Sequence, residues 1–253
     1  MHNLKDRLRV SAIHLAISLG VAALAAVLVF GLWYPYPYYE ISAGRELFLI
    51  VIAVDVAMGP VITLVVFNRA KSHHHLAMDF SVVGLLQLAA LSYGLWTMFV
   101  ARPVHLVFEF HRMAVVHAVD IDPAQLSQAP AVFQALPMTG PTLLSLRPFK
   151  NSDEQFRSTL QALKDGIAQA AQPGLWQAYE AARADILKEA KPVVELKMRF
   201  PDQTAAIDHA VAKTGLQAGN IGYLPLLARK NAWTVLINPV TARPVGFLPI
   251  DSF

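Results

Sequence analysis

Asp55 lies nine residues into a run of 21, Leu47–Phe67, in which no other residue carries a charge. Fourteen residues of that run are Leu, Ile, Val or Phe. An ionised carboxylate at mid-membrane costs about 2.5–3.5 kcal/mol, and fourteen such side chains contribute roughly 4–8 kcal/mol on the same scale. Insertion therefore survives the acid, but the acid must face protein or water rather than lipid. Two roles stay open for it: gripping a partner helix or carrying a proton, or a hydrogen bond to a neighbouring segment of the same chain. Gly59 and Pro60 follow closely. Pro60 offers no N–H to the carbonyl at position 56 and its ring crowds that carbonyl, so a kink is expected. Thr63 can satisfy a freed carbonyl. Together with Gln87 from the next apolar run, Asp55, Gly59, Pro60 and Thr63 form a candidate polar seam for binding a partner inside a membrane.

Other groups with chemical potential are less organised. His73–His75 are adjacent in a short connection with bases nearby, and such neighbours seldom converge on one metal ion. His105, His111 and His117 fall in one expected hairpin, with 105 and 117 roughly opposite. No cysteine or carboxylate pair accompanies them, so they are expected at exposed strand positions, and no metal site or cofactor is expected. Hydrolase elbows, H-E-x-x-H and phosphate loops are missing. Acidic residues are scattered along amphipathic stretches as solvated faces. No catalytic residue emerges, and the chain reads as a non-enzyme.

The elements that would position the seam are three apolar runs, at 10–34, 47–67 and 80–100. Each is long enough at 1.5 Å per residue to cross a hydrocarbon core of about 30 Å, and none has a polar face. Three transmembrane helices over residues 1–100 are expected. Lys5, Arg7 and Arg9 precede the first run, and Arg69 and Lys71 separate the second from the third, whereas Pro35–Glu46 holds only Arg45. The bias in bases puts the N-terminus and the 68–79 connection in the cytoplasm, with everything after residue 100 outside. An interfacial belt of Trp33, Tyr34, Tyr36, Tyr38, Tyr93 and Trp96 agrees, all of them at the outer ends of their runs. The first run exceeds the length of a signal-peptide core and no convincing A-x-A site follows, so an uncleaved anchor is favoured.

Residues 101–253 take up soluble patterning. Strands are expected at 104–110 and 114–119 around a turn at 111–113, and again at 222–228, 233–237 and 244–250. Ser152 reads as the N-cap of a helix running to about 171. Further helices are expected from about 176 to 190 and from Pro201 to Gly215. Strands at both ends with helices between predict an α+β domain, an antiparallel sheet covered by helices.

Composition fits this division and excludes several classes. The 253 residues are 55% hydrophobic and only 15% charged, with 13 Gly, 16 Pro and no Cys. That is too apolar for an ordinary soluble globule or for disorder. Residues 1–100 carry 6 bases and 5 acids, and residues 101–253 carry 15 and 13. This even distribution lacks the basic stripe that nucleic-acid binding needs. Without cysteine there is no disulfide framework, thiolate zinc site or thiol oxidoreductase chemistry.

The order and spacing of particular residues carry a resemblance. Asp55-x3-Gly59-Pro60-x2-Thr63-x3-Phe67 is followed by Lys71, Asp79 and Gln87-x2-Ala90-Leu91-x-Tyr93-Gly94-x-Trp96. Then comes Arg102-Pro103-x2-Leu106-x-Phe108. With WYPYPYYE at 33–40 and the ending YLPLLAR…WTVLINP…T…GFLP, this resembles the type IV pilin accessory proteins of the TfpX/TfpZ type. The resemblance covers essentially the whole chain and is strongest over 33–110. One departure is Thr241–Ala242, where the family pattern calls for glycine after the threonine of the last turn. The resemblance implies an inner-membrane protein of a Gram-negative bacterium with a periplasmic domain, assisting a cognate major type IV pilin. Other pilus assembly proteins of the inner membrane, and the lipid bilayer, are the further partners it implies. The alternative reading is a membrane-anchored periplasmic sensor or ligand-binding module.

Overall fold

The computed structural model describes residues 2–66 and 72–253. Phe67, Arg69 and Lys71, which entered the family pattern and the charge argument, lie outside the described residues. By internal contacts the chain divides into two compact units, residues 1–39 with 43–101 and residues 40–42 with 102–253.

The first unit is helical. Helix α1 (His2–Leu28) passes into a π turn at Val29–Trp33. A short α2 (Tyr38–Ile41) follows, and then α3 (Gly44–Ala53). A second π turn, Val54–Met58, joins α3 to α4 (Gly59–Val66), and α5 (His73–Val100) completes the set. Three continuous helices result, Leu4–Trp33, Gly44–Val66 and His74–Val100, each long and apolar enough to cross a membrane. They outrun the expected spans at their starts because a helix need not stop where the apolar run stops. Ser72 caps α5 by accepting from the His75 N–H, which fixes that start. The effect expected of Pro60 is absorbed by the π turn just before it. Widening the helix there re-routes the hydrogen bonds that proline would otherwise break.

Small residues set two of the helix contacts. A Cβ on Gly94 would overlap Val51, and one on Gly44 would overlap the ring of Tyr34, so those backbones approach as only glycine allows. Ala53, Ala57 and Ala90, which are also small, are exposed. Ala25, Val29, Tyr34, Phe48 and Met98 are the buried residues of the apolar cluster at one end of the helices.

The second unit is the expected α+β domain, with one refinement: its sheet is mixed. Strands β1 (Pro103–Glu109) and β2 (Arg112–His117) form the antiparallel hairpin. After three 3-10 turns the chain returns as β3 (Thr142–Leu146), parallel to β1. Parallel neighbours need a crossover connection, and the stretch from His117 to Thr142 is long enough for one. Next come α6 (Ser152–Asp165), the short β4 (Trp176–Ala178), α7 (Arg183–Glu189), β5 (Lys191–Pro192), α8 (Val193–Arg199) and α9 (Thr204–Lys213). Strands β6 (Gly222–Leu227), β7 (Ala232–Ile237) and β8 (Pro244–Leu248) close the chain. The order across the sheet is β4-β3-β1-β2-β6-β7-β8, with β5 also pairing β6. Strand β6 lies parallel to β2.

Three local expectations are corrected. The N-cap of α6 is Asn151, not Ser152: its side chain accepts from the Glu154 N–H at 2.9 Å. That helix ends at Asp165 because Gly166 takes a left-handed φ of 68°. The segment expected as one helix from 176 to 190 opens as strand β4 and a 3-10 turn, and only Arg183–Glu189 is α-helical.

Two apolar clusters hold the domain. One gathers Val104, Val107, Leu144, Leu146, Leu175 and Trp176; the other gathers Val193, Leu196, Ile207, Tyr223, Leu236 and Leu248. Arg147 links β3 to α6 by a two-pronged contact with Glu154 at 2.7 and 2.9 Å and also donates to the Gly174 carbonyl. The hydrogen bond from that guanidinium is the chief reason the Glu154 carboxyl sits at about 2, well below its ordinary value.

Candidate functional site

Polar residues on three apolar helices meet around Asp55. Its side chain is only 8% exposed, and that of Thr63 only 1%. Gln87 reaches across from α5 and donates its amide N–H to the Asp55 carbonyl oxygen at 3.0 Å. A carbonyl can only accept, so the Gln87 amide orientation is fixed and its oxygen faces the other way. That oxygen meets His14 Nε2 at 2.8 Å, and His14 Nδ1 meets the Thr63 hydroxyl at 2.6 Å. His14 therefore carries a proton on Nε2. Ser11 donates to the Pro60 carbonyl at 2.9 Å, beside the proline that cannot itself donate.

Gly59 is needed for this geometry. A Cβ there would overlap the Gln87 amide nitrogen and lie 3.0 Å from His14 Nε2. The five seam residues proposed from sequence, Asp55, Gly59, Pro60, Thr63 and Gln87, thus come together in one network. Two members were missed: His14 and Ser11. Their signal was present, since Ser11, His14 and Ser18 recur at three- and four-residue spacing and so share one face of the first helix.

One polar atom of the network remains unmatched. Asp55 Oδ1 is buried and has no hydrogen-bond partner among the described residues. Asp55 also lines a cavity of about 250 Å³ with His14, Ser18, Gly84, Gln87 and Leu88.

The aromatic residues divide. Tyr36, Tyr93 and Trp96 are exposed, whereas Trp33 and Tyr38 are half-buried. Trp33 packs edge-on against Phe99 with ring centres 5.2 Å apart. Tyr34 does not fit a lipid-facing belt: it is fully buried and its hydroxyl donates to the Met98 carbonyl at 3.1 Å. It ties the first helix to the third.

In the C-terminal domain His111 is exposed as expected, but the other two hairpin histidines are not. His105 and His117 are buried, not exposed, because β1 and β2 both lie inside the sheet and are covered on both faces. His105 Nδ1 meets the Thr142 hydroxyl at 2.8 Å, and its ring packs edge-on against Trp176. Burial lowers its pKa to about 4. His117 Nδ1 lies 3.0 Å from an Asp120 oxygen. They do not form a ligand set: among the described residues no group of three or more His, Cys, Asp or Glu could hold a metal.

Comparison with known proteins identifies the family. A family model described as Fimbrial assembly protein FimB matches residues 2–43. The fimbrial assembly protein of serogroup I from Dichelobacter nodosus is 35% identical over 232 residues, covering 91% of this chain and 90% of that protein. Its serogroup E1 counterpart from the same organism is 32% identical over the same shares. A shorter relative, from serogroups C1 and C2, is 39% identical over 121 residues, 48% of this chain and 92% of its own length. No solved structure matches. Two relatives aligned across nine-tenths of their length run through both units, and the chain belongs to the fimbrial assembly protein family.

Proposed function

We propose that this protein is a non-enzymatic accessory factor of type IV fimbrial biogenesis. Membership of the fimbrial assembly family supports the fimbrial role. In this reading the three helices lie in the inner membrane with the N-terminus cytoplasmic and the C-terminal domain periplasmic. The partner is the cognate major pilin, a subunit with a hydrophobic helix and a globular head, whose stability, assembly or fibre dynamics the protein modulates.

The observation that carries the reading is the network of Ser11, His14, Asp55, Thr63 and Gln87 inside otherwise apolar helices. Polar groups at membrane depth are costly and are retained where they hold something in register. The direct test is photocrosslinking in cells from position 88, beside the cavity, with position 24 as a control on the exposed side of the first helix. Pilin adducts from 88 and not from 24 are expected. Adducts from neither position, in cells that make pilin, would remove the pilin as partner. Orientation is checked with single cysteines at 40, 72 and 150: impermeant maleimide should label 40 and 150 in intact cells. Labelling of 72 would reverse the topology.

A second reading has one observation in its favour. The C-terminal domain has a groove of about 580 Å³ bordered by Phe108, Phe110, Phe149, Gln155, Asp185 and Lys188. A size in the range of small-molecule sites suits a sensor or ligand-binding module. That reading requires a small molecule to copurify and be visible by native mass spectrometry.

A further inference from the structure

The cavity beside Asp55 has a rim that faces outward. Ile17, Val21 and Leu88 line it and are each at least 41% exposed, so it opens sideways between the first and third helices. Whatever surrounds the helices meets that opening. Inside, His14 and Gln87 are already engaged. Both ring nitrogens of His14, both ends of the Gln87 amide and the Thr63 hydroxyl have partners. Asp55 Oδ1 is buried and has no hydrogen-bond partner among the described residues. Asp55 therefore calls for a hydrogen-bond donor, and the chemistry that best complements a carboxylate is a cationic one.

Depth and size narrow the donor further. At about 1.5 Å per residue, Asp55 lies roughly 17 Å from Gly44, Gln87 roughly 20 Å from Val100 and His14 roughly 28 Å from Trp33. In a core of about 30 Å the network thus sits past the midplane, toward the end that carries Lys5, Arg7 and Arg9. About 250 Å³ falls below the usual range for a drug-sized ligand and suits one side chain or chain end. A second copy of this chain offers Lys or Arg in its spans only at their ends: Lys5, Arg7 and Arg9 at the start of the first helix, beyond the depth of His14, and Arg45 at the start of the second. No Lys or Arg occurs in 10–34, 46–66 or 74–100.

We propose that this cavity receives one amine-bearing group from a partner's transmembrane helix, with Asp55 as its acceptor. The proposal rests on the partner reading above and names the chemistry that the partner helix brings. Ile17, Val21 and Leu88 flank the entry with apolar surface for that helix, and Gln87 and His14 hold the second-helix backbone at Asp55 in place.

The test uses the full chain in phosphatidylcholine vesicles, labelled at a single introduced cysteine in place of the exposed Val65. The probe is a 24-residue leucine–alanine transmembrane peptide carrying one lysine about seven residues from one end, with a methionine peptide as control. Energy transfer should report at least tenfold tighter association of the lysine peptide with the native chain. Asp55→Asn, which keeps the shape, should erase that preference. Gly84→Leu should exclude both peptides, because nothing lies within 4 Å of a Cβ at Gly84 and the added side chain can occupy the cavity. Equal association of the two peptides, a preference that survives Asp55→Asn, or unchanged binding to Gly84→Leu would each overturn the proposal. So would loss of the preference when phosphatidylethanolamine replaces phosphatidylcholine, since a lipid amine would then be the occupant. The pilin assignment fails separately: a lysine preference without pilin adducts keeps the cavity chemistry and removes the pilin. Pilin adducts without a lysine preference do the reverse.

Discussion

The two units of this protein bury their apolar residues to different extents. In the helical unit, fewer than a quarter of the residues in each span's most apolar stretch are buried, and Leu24, Val27, Ile50, Val65 and Leu85 are exposed. What is buried there includes Asp55, Thr63 and Ser18. In the C-terminal domain Leu196, Ile207, Val235 and Leu236 are completely buried. The contrast follows from the surroundings. Water drives apolar side chains together in the domain, but lipid is as apolar as leucine and supplies no such drive between helices. Helix contacts in the first unit must therefore be specified by small residues and hydrogen bonds, whereas the domain is specified by apolar volume.

The largest expected effect tests the domain half of that contrast. Trp176 is 1% exposed, donates its indole N–H to the Ala170 carbonyl at 2.9 Å and packs against His105. Trp176→Ala should cost about 3–5 kcal/mol, read from the denaturant midpoint of the domain's tryptophan and circular-dichroism signals. Leu49→Ala, at an exposed bundle position, should change stability by less than about 0.5 kcal/mol. Comparable losses for the two would break the contrast.

A slightly smaller effect is a function of pH. The His105 pKa falls from 6.5 to about 4 through burial, so the folded domain holds the neutral ring. Below pH 6.5 the unfolded chain takes up a proton that the folded chain refuses. Stability is full above 6.5 and declines as pH falls toward 4, by about 3 kcal/mol in all. Glu154 acts in a lower window. Its carboxyl moves from 4.5 to about 2, so its contribution is lost only as pH falls from 4.5 toward 2. His105→Asn should flatten the upper window and leave the lower one. An unchanged slope between pH 6.5 and 4 would remove His105 as the cause.

In the bundle the sensitive position is a glycine. Gly59→Ala pushes a methyl into the Gln87 amide and crowds His14, so it should cost about 1–3 kcal/mol in overpacking. Thermal unfolding in nanodiscs checks this. A neutral result would mean that the three helices do not meet at Gly59.

The same contrast explains what the sequence disclosed. Three uninterrupted apolar runs have one interpretation, so the spans were legible, and so was the charge at Asp55 that had to be hidden. His14 was missed because one histidine among the 25 residues of the first run looks incidental until its partners are known. In the domain the first hairpin and the last three strands were legible, but β3, β4, β5 and the pairing across the sheet were not. Whether β3 returns beside β1 or elsewhere depends on contacts remote in sequence. His105 was expected outside for the same reason, since a central strand is covered on both faces and its polar residues gain nothing from alternation. Tyr34 looked like a belt residue by type and place, yet a glycine ten positions on, Gly44, leaves room for its ring. The turn at Thr241–Ala242 shows the converse. The family pattern calls for glycine at 242, and Ala242 does take a φ of 58°.

The smallest expected effect sharpens the contrast within the bundle itself. Gly84 lies on the third helix, three residues from Gln87, and faces the cavity where a Cβ would meet nothing within 4 Å. Glycine in a helix interior costs roughly 0.5–1 kcal/mol relative to alanine, so Gly84→Ala should stabilise the bundle by about that amount. Its melting temperature in nanodiscs should rise by a degree or more while that of Gly59→Ala falls. Two glycines in one network would then respond with opposite signs, one because it permits a contact and the other because it borders a space. If Gly84→Ala lowers the melting temperature, something already fills that space and the cavity beside Asp55 is not available to a partner. A rise with unchanged lysine-peptide binding would show that a single methyl leaves room for the amine. The larger leucine then remains the substitution that closes the site.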